Sequence, residues 1–551
     1  MRRKLKWFLG LLVLLVAGVA LREPTEKYFD IARSLDIFAT LFKEVNAYYV
    51  DEVDPEKLIR EGIDGMLGSL DPYTDFISED EIESFRITTT GQYGGIGALI
   101  GVVNDKVVIT DPYQGYPANK AGLKIGDEIL AIDGKNVKGK STSDISNLLK
   151  GQPRTTVDIE VRRQGKKENL KFSILREKIS IRNLDYHGMV DSDIGYLKLT
   201  DFTPGAGKEV AAAVNSLKEQ GAKKLILDLR DNPGGLLNEA VNIVSVFVPK
   251  GEQVVSTKGK VKDWNKTYNT LNNPVDKSIP LVVLTNGGSA SASEIVAGAL
   301  QDYDRAVLIG QKTFGKGLVQ TTRPLSYNSQ LKVTTAKYYI PSGRCIQEMD
   351  YSHRRDDGSV DRLADSLRSE FKTRNGRKVF DGGGLQPDIE VKDQYLGAVT
   401  IALIRQGKIF EYATKYCAEK PPPTDYRGFR FTDNDYKEFT EWVARQNFKY
   451  STTLDKNVSE LIATAKDERY YDQIESQLLT LQKKIGANKV DDLERFSDEI
   501  KQILETEISF HYGLHQGRAE NALMRDNDVI EAKGVLKDLA AYKGILASTA
   551  N

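Results

Sequence analysis

The segment "NGGSASASEIVAGALQDYDRAVLIGQKTFGKGLVQ", starting at Asn286, holds serines at alternate positions, Ser289, Ser291 and Ser293, and a lysine, Lys316, between two glycines. A serine hydroxyl attacks an acyl carbon only when a base takes its proton. The chain has four histidines, His187, His353, His511 and His515, and none falls in the glycine-punctuated turns around these serines. Lys316 can act as the base if desolvation and nearby positive potential lower its pKa toward neutrality. Gln320, four residues further on, offers a neutral side chain to hold the amine in line. The apolar run "PLVVLTN" reads as a buried strand and "SASEIVAGALQ" as a helix. The serines therefore fall where a helix N-terminus presents unpaired N–H groups and partial positive charge. The N–H of Ala292 is placed to stabilise a developing oxyanion on a substrate attacked by Ser291. Ser289 and Ser293 have a competing role, since serine is a favoured N-cap.

Two other chemistries compete for the same residues. "GQKTFGKG" (Gly310 to Gly317) satisfies the spacing of a phosphate-cradling loop. The next residue is glycine rather than the Ser or Thr that holds magnesium, and a β-rich "LVQTT" follows where a helix should receive the phosphate. His511 and His515 are spaced for one helix face, but the Glu of H-E-x-x-H is missing and no third ligand lies nearby. They read as surface or packing histidines, and neither a metal nor another cofactor is expected.

The elements that must position the serine and the lysine come from strand–helix alternation between Ile179 and about Val391. "IGYLKLTDF", "KLILDLR", "PLVVLTN" and "RAVLIG" read as strands. "GKEVAAAVNSLKEQG", "LLNEAVNIVSVF" and "SASEIVAGALQ" read as helices. That order predicts an α/β core with a largely parallel sheet. Ahead of it, Ile31, Leu35, Phe38, Phe42 and Val45 recur at helical spacing. Asp54-Pro55 starts a second helix, with Leu58, Ile63, Met66 and Leu67 read as its inward row. Beyond Asp393 the chain turns helical and charged, and Ile474, Leu478, Leu481 and Ile485 form a stripe suited to a packing partner. At the other end Arg2, Arg3, Lys4 and Lys6 precede the uncharged run Trp7–Leu21, the pattern of a secretory signal or a retained anchor. With a net charge of −1, the 551-residue chain has no global electrostatic case for nucleic acid. Cys345 and Cys417, the two cysteines, read as separate thiols.

Between Tyr93 and about Glu177 the pattern changes to short strands and glycines. "PANKAGLKIGDEILAIDG" (Pro117 to Gly134) resembles the most recognisable segment of a PDZ domain. PDZ domains add an extended peptide C-terminus to a sheet edge. The resemblance implies that Gly95, Ile96, Gly97 and Ala98 form the loop that holds the carboxylate. Taken with "SASASEI", "FGKGLVQ" and "LDLRDNPGG", it makes residues 30–395 similar to the C-terminal processing peptidases, also called tail-specific proteases. That resemblance implies a Ser–Lys dyad, with Ser291 as nucleophile, Lys316 as base and Gln320 supporting the lysine. It also implies that the "NPGG" turn contributes Gly234 or Gly235 to an oxyanion hole shared with Ala292. "SGRCIQ" (Ser342 to Gln347) and "GGGLQPD" (Gly382 to Asp388) resemble structural segments of the same family.

The expected organisation is a signal or anchor over 1–22, an N-terminal helical segment over 23–90 and a PDZ domain over 91–178. An α/β serine protease core over 179–395 and a C-terminal α-helical domain over 396–551 follow. The expected function is that of an exported serine endopeptidase, in the periplasm or at the outer face of the inner membrane, cleaving proteins or peptides near accessible C-termini. Membrane association through the N-terminus and homo-oligomers through the helical segments are further expectations; no nucleic-acid partner is. The alternative is an inactive exported PDZ scaffold that binds tails without cutting them.

Overall fold

The computed structural model describes residues 22–355, 357–392, 394–488 and 491–547. The expected signal or anchor, up to residue 21, lies outside them. No helix among the described residues is long and apolar enough to cross a membrane. The chain forms two compact units, one running to Phe76 and taking in Thr322–Val333, the other holding Ile77–Thr321 and Thr334–Asn551.

The first unit is built on the helices Arg22–Tyr48 and Pro55–Gly68. The second begins as its sequence dictates, with the Asp54 carboxylate accepting the amides of Glu56 and Lys57 at 3.0 and 3.2 Å. Its inward row is narrower than the spacing predicts. Leu67 is buried, whereas Leu58 and Met66 are 36% and 61% exposed.

The second unit holds the α/β core. Its six-stranded sheet runs in the order Leu184–Met189, Ile194–Leu199, Lys224–Asp228, Leu281–Thr285, Val307–Gly310, Ile389–Glu390. The first pair is antiparallel and the remaining pairings are parallel. Both faces are apolar, and the side chains alternate between them as strand geometry requires. Leu225, Leu227, Leu281, Val283 and Leu308 face the helices Ala206–Glu219, Leu237–Val244 and Ala292–Asp302. Ile226, Val282, Leu284, Val307 and Ile309 face the other way, and what covers them is the end of the chain: Leu523, Val529, Ala532, Val535, Leu536 and Tyr542.

The last two helices, Asn527–Lys537 and Leu539–Leu546, thus supply the second helical layer of the protease sheet. The Tyr542 hydroxyl clips the layer on, accepting from the Leu281 amide at 3.0 Å and lying 3.1 Å from the Leu281 carbonyl. Tyr542→Phe leaves that buried amide unpaired. It is expected to cost about 1–2 kcal/mol, read as an earlier denaturant midpoint; an unchanged midpoint would contradict the clip.

A second sheet forms the PDZ module, with the strand Ala98–Val103 at its edge beside Lys106–Pro112 and then Glu128–Ile132, Thr156–Arg162 and Leu170–Leu175. The helix Thr142–Leu149 packs into its core through Ile145 and Leu149. The chain enters and leaves this module on one antiparallel ribbon, Gln92–Gly95 against Glu177–Ser180. The helices Ala398–Arg405, Lys408–Glu419, Asp433–Arg445 and part of Ser497–Ala522 share a separate apolar core. The predicted stripe on Tyr471–Asn488 buries Leu478 in a hairpin with Thr453–Asp467, while Ile474 and Leu481 stay exposed.

Candidate active site

Ser291 sits between the strand Leu281–Thr285 and the helix Ala292–Asp302 with φ 56° and ψ −112°. This left-handed conformation costs a non-glycine residue about 1–3 kcal/mol. The turn is held from both sides. The Ser289 hydroxyl donates to the Leu229 carbonyl at 2.8 Å and accepts the Asn286 amide at 3.0 Å. The Ser293 hydroxyl donates to the Asn232 carbonyl at 2.9 Å, which also accepts the Ala290 amide. Both flanking serines are fully buried, and their hydroxyls tie the turn to the "LDLRDN" segment. Ser291 between them is only half-buried.

The "NPGG" turn lies against this serine at backbone contact. A Cβ on Gly234, at φ +95°, would stand 2.7 Å from the Ala292 nitrogen and 2.6 Å from the Ala290 carbonyl, so only glycine fits. The Gly234 amide donates to the Asn232 side chain at 2.9 Å. Asn232 in turn donates to the Leu199 carbonyl at 2.8 Å, which locks this turn to the sheet.

Lys316 lies on the loop after the strand Val307–Gly310, and it is followed by the strand Leu318–Pro324, not by a helix that could receive phosphate. Every turn of the loop is tied down. Phe314 N donates to Ser289 O, Thr313 N to Leu385 O, Gly317 N to the Gln347 side chain, and Glu348 N to Gly315 O. Gly315 has φ +87°, and a Cβ there would meet the Glu348 Cβ at 2.6 Å. Gln320 donates its amide nitrogen to the Thr334 hydroxyl at 3.1 Å.

Sequence reasoning missed the residue that joins the two halves. Glu294 is fully buried on the first turn of the helix. Its Oε2 accepts the Ser291 amide at 2.8 Å and the Lys316 amide at 2.9 Å. Its Oε1 accepts the Thr313 hydroxyl at 2.6 Å and the Gly315 amide at 2.7 Å. The nitrogens of Ser291 and Lys316 therefore lie no further apart than the sum of their distances to one oxygen. The S-x-x-E spacing of a capping box was the available signal. Tyr338 gave none; its hydroxyl donates to Ser291 O at 3.2 Å and its amide to Gly317 O at 3.0 Å.

The segments expected to be structural hold the lysine loop through Gln347 and Leu385 and the end of the helix Ala292–Asp302 through ion pairs. Arg344 of "SGRCIQ" pairs with Asp302 at 2.8 Å, both nearly inaccessible. Arg377 pairs with Asp304 at 2.6 Å and with Asp388 of "GGGLQPD". Cys345 and Cys417 are free thiols.

In the PDZ module, Ile96, Ala98, Ile100, Tyr113, Thr142 and Leu149 line a groove of about 400 Å³ between the edge strand and the helix Thr142–Leu149. The carbonyls of Ile96 and Gly97 are taken by the Ala118 and Tyr113 amides. Gly97 and Lys150 also line the groove, whereas Gly95 ends the strand Gln92–Gly95 outside its lining, where a Cβ would lie 3.7 Å from the Lys150 Cα. Among the described residues no group of histidine, cysteine and acidic side chains could hold a metal. His511 and His515 do not share one straight helix, because Leu514 between them is non-helical at φ 51°.

A strained serine at a strand-to-helix turn, facing a lysine loop beside a PDZ module, defines a serine peptidase. The model of peptidase family S41 matches residues 193–352, a PDZ-domain model 108–163, and a model of the C-terminal helical domain of PDZ-proteases 399–536. The carboxy-terminal-processing protease of Bartonella bacilliformis is 37% identical over 340 residues, 61% of this chain and 77% of that protein. A CtpA-like serine protease of Staphylococcus aureus is 38% identical over 315 residues, 57% of this chain and 62% of that one. A solved structure of the photosystem II D1 C-terminal processing protease is 28% identical, aligning over 65% of this chain and 93% of that one with a TM-score of 0.35. The chain belongs to the carboxy-terminal-processing protease family of S41 serine peptidases and carries its PDZ domain.

Proposed function

We propose that this chain is an exported endopeptidase that cuts polypeptides near their C-termini with Ser291 as nucleophile and Lys316 as general base. The observation that carries the reading is the single carboxylate oxygen that gathers the amides of both residues. The uncharged Lys316 amine takes the Ser291 proton as Oγ attacks the scissile carbonyl. The resulting ammonium then protonates the leaving amine, and a water hydrolyses the acyl-serine by the same route. Gln320, whose amide nitrogen is directed to Thr334, presents its oxygen as the end able to accept from the lysine. For the oxyanion the Gly235 and Ala292 amides are the better pair, since the Gly234 amide is already given to Asn232.

The PDZ groove would take the substrate tail as an added strand on Ala98–Val103. The terminal carboxylate then lies at Gly95–Ala98, near the Lys150 cation, and an apolar last residue sits among Ile96, Ala98, Ile100 and Leu149. Export, to the periplasm or the outer face of the inner membrane, is supported by the basic and apolar run at residues 2–21. The test is incubation of the protein with a disordered peptide ending in an apolar residue, with a free or an amidated C-terminus, and product analysis by mass spectrometry. Cleavage is expected with both, and the free acid is expected to be cut at least tenfold more efficiently at sub-saturating concentration. Binding without fragments would overturn the enzyme reading, and equal rates would overturn tail recognition.

A further inference from the structure

Glu294 takes no part in the proton transfers just described, yet its environment is built with unusual completeness. All four groups that reach the carboxylate are donors: three amides and the Thr313 hydroxyl. That hydroxyl also accepts from the Leu385 amide at 2.7 Å, so its own proton is the one directed at Glu294. A protonated carboxyl must donate, and three of the four partners are backbone amides that cannot accept, leaving only a lone pair on the Thr313 hydroxyl; the donor set favours the anion. Burial works against the charge and pushes the pKa up to about 7, in spite of the pull of Thr313, Lys316, Gly315 and Ser291. An ordinary capping box serves only its own helix turn. Here three of the four bonds go to a loop 19 to 22 residues further along the chain.

We propose that Glu294 is a positioning residue of the Ser291–Lys316 pair: its carboxylate draws the backbone of nucleophile and base onto one oxygen and so fixes the separation across which the proton passes. The inference rests on the Ser–Lys reading above. Tyr338 works in the same sense from the opposite side, holding Ser291 O by its hydroxyl and Gly317 O by its amide. Fixing reacting groups in this way accounts for large rate factors, and a displacement near 1 Å costs on the order of 100-fold.

Glu294→Gln tests this, because the amide keeps the size but turns an NH2 group toward two of the donors. The expected result is a kcat lower by about 100-fold, with KM within twofold, since a fully buried side chain touches no substrate. A second readout separates positioning from general support of the fold. Ser291 labelling by a fluorophosphonate probe is followed in wild type, Glu294→Gln, Lys316→Ala and the double variant, at a temperature where circular dichroism shows all four folded. Positioning predicts that once Lys316 is gone, Glu294→Gln slows labelling no further.

Multiplying effects, or a Glu294→Gln enzyme with kcat within threefold of wild type, would overturn the proposal. If Glu294→Gln does not fold, Thr313→Val carries the test: it removes one donor and is expected to lower kcat about fivefold at unchanged KM, for a bond of roughly 1 kcal/mol. No change in kcat there counts against the proposal. The wild type is assayed first, and failure of the wild type to cleave or take the label would remove the dyad reading itself.

Discussion

Ser291→Ala is expected to reduce peptide cleavage by a factor on the order of 10⁴–10⁶, and Lys316→Ala by nearly as much, with both proteins folded. The reason is that in the proposed mechanism the two side chains act as one unit. Without the hydroxyl there is no acyl-enzyme, and without the amine the hydroxyl keeps its proton. Lys316→Arg is expected to be as inactive as the alanine variant, because a guanidinium fills the space but does not give up its proton at any accessible pH. The neighbouring serines supply the contrast. Ser289→Ala and Ser293→Ala each remove a buried hydroxyl bond and should cost about 1–2 kcal/mol of stability. Their effect on kcat should stay within an order of magnitude. Peptide cleavage followed by mass spectrometry, with circular dichroism on each variant, decides the matter. Full activity in purified Ser291→Ala or Lys316→Ala would remove the assignment, and complete loss in Ser289→Ala would move the nucleophile.

Much of this site was legible in the sequence because its parts are local. A glycine-flanked lysine after a buried strand, and serines before an apolar helix, announce turns whatever the rest of the chain does. The Asp54-Pro55 helix start and the strand–helix alternation follow from rules that act over a few residues. What could not be read is long-range. The spacing of Glu294 from Ser291 marks a cap, but nothing in one sequence says that the same carboxylate also collects a loop beyond Asp302. Nothing in one sequence says what Val529, Leu536 and Tyr542 pack against, so the helical tail read as a separate domain while its end covers the protease sheet. Gly234 and Gly235 were equivalent in sequence; they differ because the Asn232 side chain claims one of the two amides.

The longest-range contact makes the second large prediction. His515, read as a surface or packing residue, stands where three parts of the fold meet. Its Nε2 lies 2.7 Å from Asp111 on a PDZ strand, and its Nδ1 pairs with Asp185 on the first strand of the protease sheet. A carboxylate beside each ring nitrogen favours the doubly protonated imidazolium. Burial opposes that charge, but the bonds to Asp111 and Asp185 outweigh it and hold the pKa at about 9. Burial would likewise raise Asp185, yet His515, Lys198 and Arg518 hold it below the usual carboxylate range. Asp201, Tyr113 and Tyr93 are further titratable groups around the two carboxylates.

Because the folded histidine pKa lies above its ordinary value, the stabilisation is fully present below about pH 6.5 and is lost as pH rises through about 9. The shift corresponds to at most about 3 kcal/mol, less for the third of the ring that solvent screens. His515→Ala leaves two carboxylates facing each other at the junction and is expected to cost about 1–3 kcal/mol at pH 6 and much less at pH 10. Hydrogen exchange of Lys106–Pro112 and Leu184–Met189 in wild type and variant, compared at each pH, measures it. The two proteins should differ most at pH 6 and converge above pH 9. A difference that stays constant with pH would mean that the imidazole is neutral in the folded protein and that packing alone joins the three segments.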